Sequence, residues 1–242
     1  MIKFLVLGFP HTATTYCYKY ILQKFPDLWG VFEPFNAEVV GWAKTSSKLM
    51  HYSEGDVHHH FLQLPLDLQE MIIRNSEWLW DWVFNDKPKS PFLGSMYRKV
   101  LLSLHSLEKR FVVKDVCAWV RAEELVHLLP NAKFIFLLKD EESVLSDFLK
   151  LYKDHLAGRN LRVLSPRWGL GLSLFYRFFF GHDKIPEEFN IFVLRRLFEK
   201  TYEKYKETCW RVGRYKNVFV IEFAKRLKDH EIDNALRNLG LL

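Results

Sequence analysis

Four short apolar runs constrain this chain more than any other feature. They cover residues 3–8, 110–114, 133–138 and 217–223, each rich in Val, Ile, Leu or Phe and bounded by polar residues. Runs of that length with little polar alternation suit strands buried on both faces. Helical apolar spacing fills the intervals, over 14–24, 69–84, 122–129, 141–152, 192–212 and 231–239. Such alternation predicts βαβ units: an α/β fold whose central, mainly parallel sheet is flanked by helices, with ligand sites at the carboxyl ends of the strands. The Pro- and Gly-containing stretches 85–94, 158–169 and 181–189 read as loops. No repeat, low-complexity tract or composition shift divides the 242 residues, so 1–242 is read as a single domain.

The first strand leads into the most informative turn. Phe4 to Leu7 end at Gly8, the turn FPHTA follows, and Thr14 and Thr15 open a helix. A strand feeding a helix through a tight turn aims backbone N–H groups and the positive end of the helix dipole at one spot, which suits a phosphate. The nucleoside-triphosphate loop reads G-x-x-x-x-G-K-[ST]. Here Gly8 is in place, but Ala13 stands at the second Gly and Thr14 at the Lys. That Lys reaches the outer phosphates, so its absence argues against ATP or GTP hydrolysis and leaves a site for a smaller 5′-phosphate. An ordinary βα turn capped by Thr fits the same residues. Two later strands end in Lys114-Asp115 and Lys139-Asp140, each placing a cation where an anionic ligand would lie. Solvated lysines at strand ends are common; the pair, beside the first loop, is the stronger signal.

The net charge of +6 favours an anionic partner. No block of five like charges is present, so no nucleic-acid tail is expected. Cys17, Cys117 and Cys209 are too scattered for a disulfide framework or a zinc site and read as reduced, mostly buried thiols of a cytoplasmic protein. The apolar N-terminus breaks at Gly8 and Pro10, which makes it a first strand and not a signal peptide. The stretch 170–180 carries Arg177 and is too short to cross a bilayer, so no transmembrane segment is expected. Three consecutive imidazoles, His58, His59 and His60, cannot converge on one ion from a regular helix or strand and read as a solvated run. Trp78, Trp80 and Trp82 read as packing residues. The charges of 192–212 read as a solvated, ion-paired face.

Taken together, these residues resemble the sulfotransferase family, which moves a sulfuryl group from 3′-phosphoadenosine 5′-phosphosulfate to an acceptor hydroxyl or amine. The family's first motif, strand–PxSGTT–helix, is matched by Pro10-His11-Thr12-Ala13-Thr14-Thr15. Its second, a strand followed by RDPxxVxxS and a helix, is matched by the strand at 133–138 and residues Lys139 to Asp147. An acidic residue in an F-E-P context is matched by Phe32-Glu33-Pro34, and the C-terminal strand and Leu-Gly-Leu by 217–223 and Leu239-Gly240-Leu241. Residues 37–108 match nothing in the family pattern.

The resemblance implies a P-loop NTPase-like three-layer sandwich and a nucleotide sulfate donor as co-substrate, with a carbohydrate or small molecule as acceptor and no metal. It implies Glu33 as the base, and His11 and Lys114 as stabilisers of charge on the leaving and transferring oxygens. Pro10 to Thr15 would hold the 5′-phosphate, and Lys139 and Ser146 would face the 3′-phosphate. Four departures from the pattern bear on the chemistry. His11 replaces a Lys or Arg, and carries charge only below an ordinary pKa of about 6.5 unless a phosphate raises it. Ala13 replaces Gly, which calls for a negative φ. Lys139 replaces Arg and loses the planar fork. Asp147 stands where the phosphate-binding Ser aligns, and would repel that phosphate. Two other readings stay open: a P-loop-type small-molecule or nucleotide kinase, and an inactive nucleotide-binding protein on the same scaffold.

Overall fold

The computed structural model describes residues 1–33, 60–76, 95–116, 118–156 and 191–242. Strand β1 (Ile2–Gly8) leads to helix α1 (Thr14–Lys24) and strand β2 (Trp29–Phe32). A 3₁₀ turn at Phe61–Gln63 precedes α2 (Leu66–Ser76), and α3 (Ser95–Ser106) precedes β3 (Phe111–Asp115). A second 3₁₀ turn at Ala118–Arg121 runs into α4 (Ala122–Leu128), followed by β4 (Lys133–Lys139) and α5 (Glu141–Leu156). Helix α6 (Ile191–Val212), β5 (Val218–Phe223) and α7 (Asp229–Asn238) complete the described elements.

The five strands form one sheet in the order β2-β3-β1-β4-β5, and every pairing is parallel. With helices on both faces this is a P-loop-like three-layer α/β sandwich. Alternate side chains feed two separate cores. Leu5 and Leu7, Phe111 and Val113, and Phe134, Phe136 and Leu138 face the layer that holds α2 to α6. Phe4 and Val6, Val112, and Ile135 and Leu137 face α1 and α7. Ile2 joins the first core, which strict alternation from Phe4 forbids; the β1–β3 register shifts between Ile2 and Phe4, and that irregularity turns Ile2 over.

The four strands read from the apolar runs are present, and α1 occupies the predicted span. β5 is an edge strand with Glu222 exposed, so burial on both faces holds for β1, β3 and β4 and not for β5. Two elements lay outside the sequence reading, β2 and α3. β2 has only four residues and Gly30 interrupts it. That glycine is a packing requirement: a Cβ there would run into the Tyr18 hydroxyl. α2 begins three residues before the predicted start; the remainder of the predicted helix beyond 76, the three predicted loops, the 170–180 stretch, and Trp78, Trp80 and Trp82 lie outside the described residues.

His60 is not a freely solvated imidazole. Its Nδ1 accepts a hydrogen bond from the Gly30 N–H at 3.0 Å and its ring stacks on Trp29. His58 and His59 lie outside the described residues. Cys17 and Cys209 are buried free thiols, as expected of structural cysteines, and Cys117 lies outside the described residues. On α6 the expected ion-paired face is present, with Arg195 bonded to Glu199 and Lys204 to Glu207. Among the described residues no helix is long and apolar enough to cross a membrane.

Candidate functional site

Strand order locates the crevice. After β1 the chain turns to one side, towards β2, and after β3 it crosses to β4 on the other side of β1. Connections that leave a strand end in opposite directions open a cleft at its carboxyl end. The register sets Val6 beside Lys114 and Gly8 beside Leu137, so the loop after β1 lies between the ends of β3 and β4. Lys114 and Lys139 therefore flank that loop, as their positions in the sequence predict.

The loop itself is tightly built. The Thr12 N–H bonds back to the Phe9 carbonyl at 3.2 Å, with Pro10 next and His11 at φ 67°. These are the features of a type II turn, which places Pro at its second residue and a left-handed residue at its third. Ala13 is left-handed too, at φ 59° and ψ 24°, immediately before α1. Backbone φ thus alternates in sign from Pro10 to Ala13, a pattern that turns successive N–H groups towards one concavity. The negative φ expected for Ala13 is not adopted; alanine takes the conformation usually left to Gly, at a cost of about 1–2 kcal/mol. Gly8 cannot carry a side chain, because a Cβ would collide with Thr12 and Thr14.

The three threonines divide in role. Thr12 is fully buried and its hydroxyl donates to the Phe9 carbonyl at 2.6 Å, so its one proton is committed to the loop. Thr14 is buried at the first residue of α1, and Thr15 is half-buried beside it. Both therefore stand at the helix start, beside the amides of the turn.

Glu33 follows directly on β2, and its N–H extends the ladder to the Lys114 carbonyl at 2.8 Å. Its backbone is left-handed, at φ 41°. Its carboxylate accepts a hydrogen bond from Lys114 Nζ, and the two side chains are only 10% and 2% exposed. Lys114 Nζ also lies 4.3 Å from the centre of the Phe32 ring. A strained backbone carrying a buried ion pair persists only where its surroundings over-determine it. Glu33 is thus buried and ion-paired rather than solvated.

On the other flank, Lys139 Nζ donates to Asp147 on α5 at 2.7 Å. Asp140 begins that helix by accepting the Ser143 N–H at 3.0 Å. Ser146 is exposed, about 100° round the helix from Asp147. Of these two neighbours it is Asp147 that reaches Lys139. Two tyrosines of α6 hold the end of β4 from behind: Tyr205 donates to the Leu137 carbonyl at 2.8 Å and Tyr202 to the Lys139 carbonyl.

His11 is close to both lysines. Its ring meets the edge of Phe148 at 4.9 Å, and Phe148 packs on Phe9. Burial pushes the imidazole down to about 4; Asp147 opposes that shift, while Lys139 and Lys114 reinforce it. At neutral pH His11 is therefore an uncharged imidazole, not the cation its position in the motif calls for. An anion seated in the loop would favour its protonation. The same electrostatics show that His11, Lys114, Lys139 and Asp147 share one small region.

The sequence reading missed Phe148, Tyr202 and Tyr205 as the supports of this region. Their signal was available: Phe198, Tyr202 and Tyr205 recur at i, i+4 and i+7 on α6, and all three rings pack around Phe9. No protein-family model matches the chain, and no curated protein is similar enough to it to count as a relative.

Proposed function

We propose that this protein transfers a sulfuryl group from 3′-phosphoadenosine 5′-phosphosulfate to the hydroxyl or amine of a carbohydrate or small molecule. The observation that carries this reading is the buried Glu33–Lys114 pair, set at the carboxyl ends of β2 and β3 beside the loop that follows β1. A base and a cation held together next to an anion cradle are what an in-line transfer of an anionic group requires. In this scheme Glu33 takes the acceptor proton as the acceptor oxygen bonds to sulfur. The sulfur–oxygen bond to the 5′-phosphate breaks, and the electron pair leaves on that phosphate oxygen. Protonation of Glu33 releases the Lys114 charge to the transferring and leaving oxygens at the moment they need it. Loop amides with Thr14 and Thr15 hold the 5′-phosphate, His11 gains its proton as the anion arrives, and Lys139, bonded to Asp147, is on the side of the 3′-phosphate. The free thiols Cys17 and Cys209 fit a reducing, cytoplasmic setting.

The test is release of adenosine 3′,5′-bisphosphate from the donor, followed across a panel of sugars and phenols. Turnover should depend on an acceptor, and Glu33→Gln should lower kcat by about 10²–10⁴-fold. A second reading, a nucleotide-binding protein without transfer activity, is favoured by burial keeping His11 neutral. Saturable nucleotide binding with no acceptor-dependent turnover would support it.

A further inference from the structure

Lys139 already has an anion. Its side chain is 11% exposed and bonded to Asp147, whose side chain is 46% exposed. We infer that Asp147 is a specificity-determining residue of the proposed donor site: its carboxylate occupies Lys139 in place of a second ligand phosphate, so a phosphate at the 3′ position of the nucleotide adds little to binding. This rests on the reading of the loop after β1 as a nucleotide cradle.

The two anion positions of the cleft differ in what a ligand meets. At the loop, the alternating backbone and the start of α1 favour an incoming phosphate through backbone N–H groups and the helix dipole. At Lys139 it meets a carboxylate at hydrogen-bonding distance, and one charge-assisted bond is exchanged for another. Remaining near Lys139, Asp147 would also repel the newcomer. The half-exposed Asp147 can swing into water, so the exchange is possible but brings little net gain. Ser146 offers no substitute, because it is exposed on another side of α5.

Calorimetric titration of the full chain with adenosine 5′-monophosphate and with adenosine 3′,5′-bisphosphate tests this on the wild type, Asp147→Asn and Asp147→Ser. The wild type should bind the two nucleotides within about fivefold, while both variants keep their monophosphate affinity and bind the bisphosphate about tenfold more tightly than the wild type does, as Lys139 gains a free bond to give. A wild-type preference for the bisphosphate above about fivefold overturns the role of Asp147 and leaves the cradle standing. So does an unchanged preference in variants that melt as folded proteins. Binding of neither nucleotide by any form removes the cradle, and this inference with it.

Discussion

The two lysines that flank the first loop are held in opposite ways. Lys114 is sealed inside the protein with Glu33, over the face of Phe32 and beside a left-handed backbone. Lys139 points from the end of β4 to a carboxylate that is half in water. Burial makes the first pair costly to break and fixed in geometry; exposure makes the second exchangeable. A group that must be in place for bond making belongs in the first setting, and a group that adjusts to a ligand belongs in the second. In the proposed transfer, the rigid pair at β2 and β3 would serve the reaction and the exchangeable pair at β4 and α5 would serve binding.

The largest expected effect separates the two lysines. Lys114→Met strands the buried Glu33 carboxylate and should cost about 3–5 kcal/mol in urea denaturation. Lys139→Met, which leaves a half-exposed carboxylate, should cost about 1 kcal/mol or less. Equal losses would erase the distinction.

His11, close to both lysines, sharpens the comparison through pH. Its imidazole is held down to about 4 in the folded protein, whereas the unfolded chain binds that proton near the ordinary pKa of 6.5. As pH falls from about 6.5 to about 4 the unfolded state takes up the proton first, so stability falls with pH across that window, by about 3 kcal/mol. The contribution is fully present above 6.5. His11→Asn, which tolerates the left-handed backbone, should flatten this part of the stability profile relative to the wild type. A profile unchanged by the substitution would place His11 in water.

The smallest effect concerns the loop. Ala13→Gly relieves a left-handed alanine, and the gain is partly offset by the greater freedom of glycine in the unfolded chain, leaving about 0.5–1 kcal/mol of stabilisation in thermal unfolding. A loss would mean that the loop leaves this conformation in solution.

What was legible in the sequence follows from how each feature is encoded. Apolar runs and helical spacing record burial, so β1, β3, β4 and α1 could be read with little error at their ends. β2 hides because four residues containing a glycine carry no period, although Phe32-Glu33 marks its end. α3 was there to be found: Val100, Leu101 and Leu104 repeat at helical spacing, and all three are fully buried. The candidate site was legible as residue types at strand ends, because strand order turns those positions into neighbours. Pairing was not legible. That Lys114 chooses Glu33, 81 residues away, and Lys139 chooses Asp147 depends on the packing of β2 and α5. Nor does sequence report the left-handed backbone at His11, Ala13 and Glu33, since none is glycine.

Titration of the protein with adenosine 3′,5′-bisphosphate and, separately, with ATP tests the central claim most directly: the loop after β1 seats a nucleotide 5′-phosphate without a loop lysine. Saturable binding of the bisphosphate is predicted, with none of ATP, and Thr14→Val should weaken that binding by about 1–3 kcal/mol through loss of a buried donor. No binding of the bisphosphate, or an affinity that Thr14→Val leaves unchanged, would contradict the account.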